Sequence, residues 1–138
     1  MRTLFTSDLR DFLGAPFAPQ TGESVATGFG CYGLVRAIYR RAGVEAPALW
    51  TDPPEIGAED RAAAVLAAFP TYWEAIPAPE PMALVSLPSA FFAGGGHVGV
   101  YLADGCVAHA TLKTGVIFEP WARIRLRALG CYRLREAR

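Results

Sequence analysis

The apolar pattern changes rhythm at residue 83, and that change limits the fold more than any other feature of the chain. Before it, Leu34, Val35, Ile38 and Tyr39 recur at helical spacing and Gly43 stands ready as a C-cap, which predicts a helix over Cys31–Ala42. After it come short β-type runs separated by turn residues: Ala83–Leu87, His97–Leu102, Cys106–Ala110, Gly115–Phe118 and Gly130–Leu134. Helices first and strands afterwards predict an α+β domain whose helices pack on one face of a mostly antiparallel sheet. Two further helical stretches are expected, Ser7–Leu13 with Ser7 as N-cap and roughly Ala58–Ala68 with Val65 and Leu66 on its buried side. Gly14–Phe29 reads as a loop. With no internal repeat and no linker, residues 1–138 read as one domain.

At 138 residues and 52% hydrophobic content, the chain can bury a core without disulfides or metals. Thirteen basic residues balance thirteen acidic ones, so no general attraction to nucleic acid or an anionic membrane is expected. The arginines do cluster, at Arg36, Arg40 and Arg41 and again from Arg123 to Arg138. A solvated edge and a phosphate- or protein-facing patch both fit that clustering. No apolar run approaches the roughly 20 residues of a membrane span. The start MRTLFTSDLRDFLG places Asp8 and Asp11 where a signal peptide needs apolar residues, so synthesis in the cytoplasm is expected. Three cysteines, Cys31, Cys106 and Cys131, leave at least one free thiol and suit a reducing compartment.

A thiol attacks as the thiolate and needs positive potential beside it. The first turn of a helix supplies unpaired N–H groups and the positive end of the peptide dipoles, and Cys31 opens the predicted helix between Gly28, Gly30 and Gly33. The same N–H groups would serve as an oxyanion hole. A buried, inert cysteine at a helix start is the alternative. Cys106 follows the turn Asp104-Gly105 and Cys131 lies in an apolar strand, so both read as structural.

Only two histidines are present, His97 and His109. If Ala103-Asp104-Gly105 forms a three-residue turn with Gly105 left-handed, Leu102 pairs with Cys106, Val100 with Ala108 and Gly99 with His109. His97, Gly99 and His109 then share a sheet face. One imidazole beside a thiol can take its proton while a second holds that ring in the right tautomer. A zinc site of one cysteine and two histidines competes with this reading, but no H-E-x-x-H or C-x-x-C spacing supports it.

The segments GFGCYGLVRAIYRRAGV and GHVGVYLADGCVAHA resemble the NlpC/P60 superfamily of papain-like cysteine peptidases over roughly Asp11 to Arg133. The resemblance implies a papain-like fold with Cys31 as nucleophile, His97 as base and His109 as orienting residue, and no cofactor. It implies peptidoglycan stem peptides as substrate, commonly cut between D-glutamate and the diamino acid. The Gly33–Arg36 sequence, the continuation RRAGVEAP and the terminal GCYRLR are similar to the phage-tail and gene-transfer-agent branch. That branch implies tail proteins as partners and carriage to the wall by a phage-like particle. A tail-tip or hub assembly module with an idle triad is the competing role. The family's aspartate before the cysteine is Gly30 here, its following serine is Tyr32, and its early tyrosine is Phe17. These are the expected substrate-binding positions, and their changed chemistry implies altered specificity. Tyr32, Trp50, Tyr72 and Trp73 are candidates to line the groove.

Overall fold

The computed structural model describes residues 1–18, 23–24, 28–29, 31–47, 69–88 and 96–135. A 3-10 turn at Thr6–Leu9 opens the chain. Phe5 stands at its N-cap in place of the expected Ser7, and the Asp8 carboxylate accepts the Phe5 N–H at 2.8 Å. A two-stranded pair, β1 (Glu23–Ser24) and β2 (Gly28–Phe29), precedes helix α1 at Cys31–Arg41. Then come β3 (Trp73–Ile76), β4 (Leu84–Pro88), β5 (Gly96–Tyr101), β6 (Cys106–Thr111), β7 (Gly115–Pro120), a short helix Trp121–Ile124 and β8 (Gly130–Leu134). Residues 69–72 are helical, and the expected helix over 58–68 lies outside the described residues.

Strands β3 to β8 form one antiparallel sheet in the order β3-β8-β4-β5-β6-β7. The expected α+β architecture is therefore present. Leu34, Val35, Ile38 and Tyr39 of α1 are buried against Val98 and Val100 of β5 and Ala108 and Ala110 of β6. Alternation then turns Val85, Leu87, Val107 and Cys131 to the opposite face, where they meet Ile124 of the short helix. Helix α1 ends on Gly43 at φ +93°. There Val44 N–H returns to Tyr39 O and Gly43 N–H to Arg40 O, satisfying carbonyls the helix leaves open.

Several of the clustered arginines form ion pairs. Arg41 grips Asp11 with both arms, Arg40 meets Glu45 at 2.9 Å, and Arg133 bonds Glu80 at 2.7 Å. The N-terminal arm also pins the β5–β6 turn: Thr6 donates from its hydroxyl to Asp104 at 2.6 Å, and Ala103 N–H donates to Leu4 O. No helix among the described residues is long and apolar enough to cross a membrane.

Candidate active site

Cys31 is the first residue of α1 and is half-buried. The backbone N–H groups of Val98, Tyr32 and Cys31 itself favour its thiolate. The orientation of the Val98 N–H follows from strand geometry. Tyr101 spends its N–H on Ala83 O and its carbonyl on Met82 N–H, both on the β4 side. Alternation turns the N–H groups of Val98, Val100 and Leu102 towards β6, and Leu102 N–H duly reaches Cys106 O at 2.8 Å. The β5–β6 ladder stops after Val100↔Ala108 and Tyr101↔Val107. Val98 N–H, beyond that point, favours the thiolate of Cys31.

The predicted three-residue turn is formed. Gly105 sits at φ +83° and its N–H returns to Leu102 O at 3.0 Å. Val100 pairs with Ala108 as the register required, whereas Gly99 and His109 are neighbours without a ladder pair. A Cβ at Gly99 would stand 2.7 Å from Ala108 O, 2.8 Å from Val107 Cγ1 and 3.0 Å from His109 Cβ. Glycine is what allows β6 so close. Across this narrow point His97 Nε2 meets His109 Nδ1 at 2.9 Å, with the rings edge to face.

The row of polar groups continues past the histidines. His109, a buried polar residue, meets Glu119 Oε1 through Nε2 at 2.7 Å. Arg127 donates to the same oxygen at 2.9 Å. No local pattern marks Glu119, because a charged residue before Pro120 looks like the end of a strand. The β6–β7 ladder instead runs on to Cys106↔Pro120 and pairs Val107 with Glu119, diagonal to His109.

Burial pushes the Cys31 thiol above its ordinary value, against the pull of its N–H donors. Burial likewise lowers His97 to about 4, helped by His109 and Arg127. His109 is lowered by burial despite Glu119. Glu119 is lowered: its bonds to His109 and Arg127 outweigh the upward push of burial. The thiol and both imidazoles therefore rest neutral, where a helix start alone led to the expectation of a thiolate. Burial disfavours the charged form of each group. Among the described residues no group of three or more His, Cys, Asp or Glu could hold a metal ion. The ring nitrogens named above point at one another and at Glu119 instead of converging.

No family sequence model matches the chain, and no curated protein matches it by sequence. Solved structures do match. An NLP/P60 family protein from Staphylococcus aureus, described as similar to lipoprotein, superposes with a TM-score of 0.61 at 21% identity, covering 96% of this chain and 40% of that one. The NlpC/p60 domain of the peptidoglycan hydrolase SagA gives 0.57 at 18% identity, covering 93% of this chain and 94% of that one. The chain has the NlpC/P60 fold. An NlpC/P60 family protein from Bacillus cereus gives 0.53 at 19% identity over 95% of this chain and 40% of its own length. The chain thus spans two-fifths of the length of two of these structures.

Within this NlpC/P60 fold the expected substrate-binding positions fare differently. Tyr32 is 2% exposed and its hydroxyl donates to Pro47 O at 2.6 Å. Its side chain packs in the core. Phe17 is half-buried against the same core. Gly30 and Trp50 lie outside the described residues. Trp73 also belongs to the core, edge to face with Tyr39, while Tyr72 is exposed. Cys131 is buried in the second cluster and Cys106 is half-buried at the start of β6, both thiols pushed up by burial.

Proposed function

We propose that the protein is a cysteine hydrolase acting on peptidoglycan stem peptides, with Cys31 as nucleophile, His97 as base and His109 orienting His97. The observation that carries this is the 2.9 Å contact of His97 Nε2 with His109 Nδ1, with Cys31 at the first turn of α1 and a Val98 N–H that favours its thiolate. With both partners neutral at rest, the proton moves during attack. His97 takes the thiol proton as the sulfur adds to the amide carbonyl, and N–H groups at the start of α1 hold the oxyanion. His97 then protonates the leaving amine as the C–N bond breaks. Water, deprotonated by His97, attacks the thioester and returns the thiol. This cycle draws on no metal or organic cofactor.

The substrate class is supported by the motif resemblance and by the fold shared with a peptidoglycan hydrolase domain. The bond we favour is the one between D-glutamate and the diamino acid. Mass spectrometry of purified muropeptides tests both points: new fragments should appear with wild type and not with Cys31→Ala. Intact muropeptides of every stem type, from folded protein, would reject the substrate. Association with a phage tail or gene-transfer-agent particle rests on the Gly33–Arg36 and RRAGVEAP sequences. Finding the chain in purified particles would support that association, and its absence from them would reject it. The burial of Tyr32, at a position expected to read substrate, favours a second reading as a tail-tip or hub assembly module. In that role the Cys31→Ala protein would assemble as wild type does.

A further inference from the structure

We infer that Glu119, held by Arg127, is a positioning residue that fixes the direction of the protons along the histidine pair. Two neutral rings joined through His97 Nε2 and His109 Nδ1 share a single proton at that contact, so two arrangements compete. In one, His97 donates from Nε2 and its Nδ1 keeps the lone pair that a base needs. In the other, His109 donates from Nδ1, and His97 carries its proton on Nδ1 and can accept nothing more.

Nothing within the pair decides between them. Glu119 does. An ionised carboxylate only accepts hydrogen bonds, and its Oε1 lies 2.7 Å from His109 Nε2. That distance requires a proton on Nε2, since two lone pairs would otherwise face each other away from water. A neutral His109 with its proton on Nε2 has a bare Nδ1, which must then receive the proton of His97 Nε2. The order therefore runs one way, from His97 through His109 to Glu119, and leaves His97 Nδ1 free to act. Arg127 donates to the same Oε1 at 2.9 Å and keeps the carboxylate ionised. Because Glu119 stands on β7 and touches His109 instead of the thiol, it acts only through the pair.

The value of this order for catalysis rests on the proposed role of His97, but the order itself can be read without any substrate. Nitrogen-15 spectra of histidine-labelled protein at pH 7 report the tautomer of each ring, and with two histidines the assignment is direct. Wild type should show both rings protonated on Nε2. Glu119→Gln, whose amide can accept or donate, should show mixed tautomers in both rings and about tenfold slower alkylation of Cys31 by iodoacetamide, followed at the Cys31 peptide. Nδ1-protonated His109 in wild type would overturn the inference whether or not the variant folds. Unchanged tautomers in folded Glu119→Gln would overturn it too. A failure to cleave muropeptides would leave these spectra as they are, so the two failures are told apart.

Discussion

Strand β6 is paired unequally on its two sides. Towards β7 it is laddered from Cys106↔Pro120 to Thr111↔Gly115 along its whole length. Towards β5 it holds only Val100↔Ala108 and Tyr101↔Val107. The full ladder fixes His109 and Glu119 relative to each other, because both stand on strands that cannot slip without turning every side chain over. The short ladder does the opposite. It leaves room for two imidazoles to bridge the gap. Rigid pairing on one side and arrested pairing on the other set a polar row inside an apolar sheet.

The comparison breaks most sharply at the open side. Cys31→Ala or His97→Ala should each lower muropeptide cleavage about a thousandfold or more, while Cys106→Ser on the ladder side should leave it intact. Rates from the three variants check this.

Acid should test the same buried groups through stability. His97 is lowered from its ordinary 6.5 to about 4, and His109 is lowered as well. In this range the unfolded chain binds more protons than the folded one, so the stability present above pH 6.5 is lost as pH falls through 4. The share of His97 is ~3 kcal/mol at most, from its shift alone. Urea unfolding at pH 7 and pH 4.5 should show this loss in wild type and a smaller one in His97→Gln.

Gly99 marks where the strands part. A methyl group there would meet the Ala108 carbonyl at 2.7 Å, and backbone cannot step aside as a side chain can. Gly99→Ala should push β5 from β6, separate the histidines and cost about a hundredfold in kcat/KM. Loss of the long-range coupling between the two imidazoles in nitrogen-15 spectra would confirm the cause. The smallest effect belongs to Tyr32→Phe, which removes the bond to Pro47 O. It should lower stability by ~1 kcal/mol and leave kcat/KM unchanged. A large kcat/KM effect would return Tyr32 to the substrate groove.

Much of this was legible in the sequence where neighbours in the chain decide the outcome. Helix α1, the strands around both histidines and the Gly105 turn follow from local spacing and from one residue that tolerates positive φ. Strand β3 was not legible. Its segment Trp73–Ile76 carries Glu74 in the middle, and it pairs with β8 across a long stretch of chain. Glu119 escaped for a related reason, since only the register with β6 shows that it faces His109. The position of Tyr32 beside Cys31 suggested a site, and its burial with Val35 and Tyr39 along one stripe of α1 shows only in the packing. The neutral resting state comes from burial, which no local pattern reveals.

The central claim is that His97 serves Cys31 as a base, and the pH dependence of iodoacetamide alkylation, mapped to each cysteine peptide, tests it most directly. The account predicts that His97→Ala slows alkylation at Cys31 tenfold or more at pH 7 and leaves Cys106 untouched. Equal rates at Cys31 in wild type and His97→Ala would contradict it.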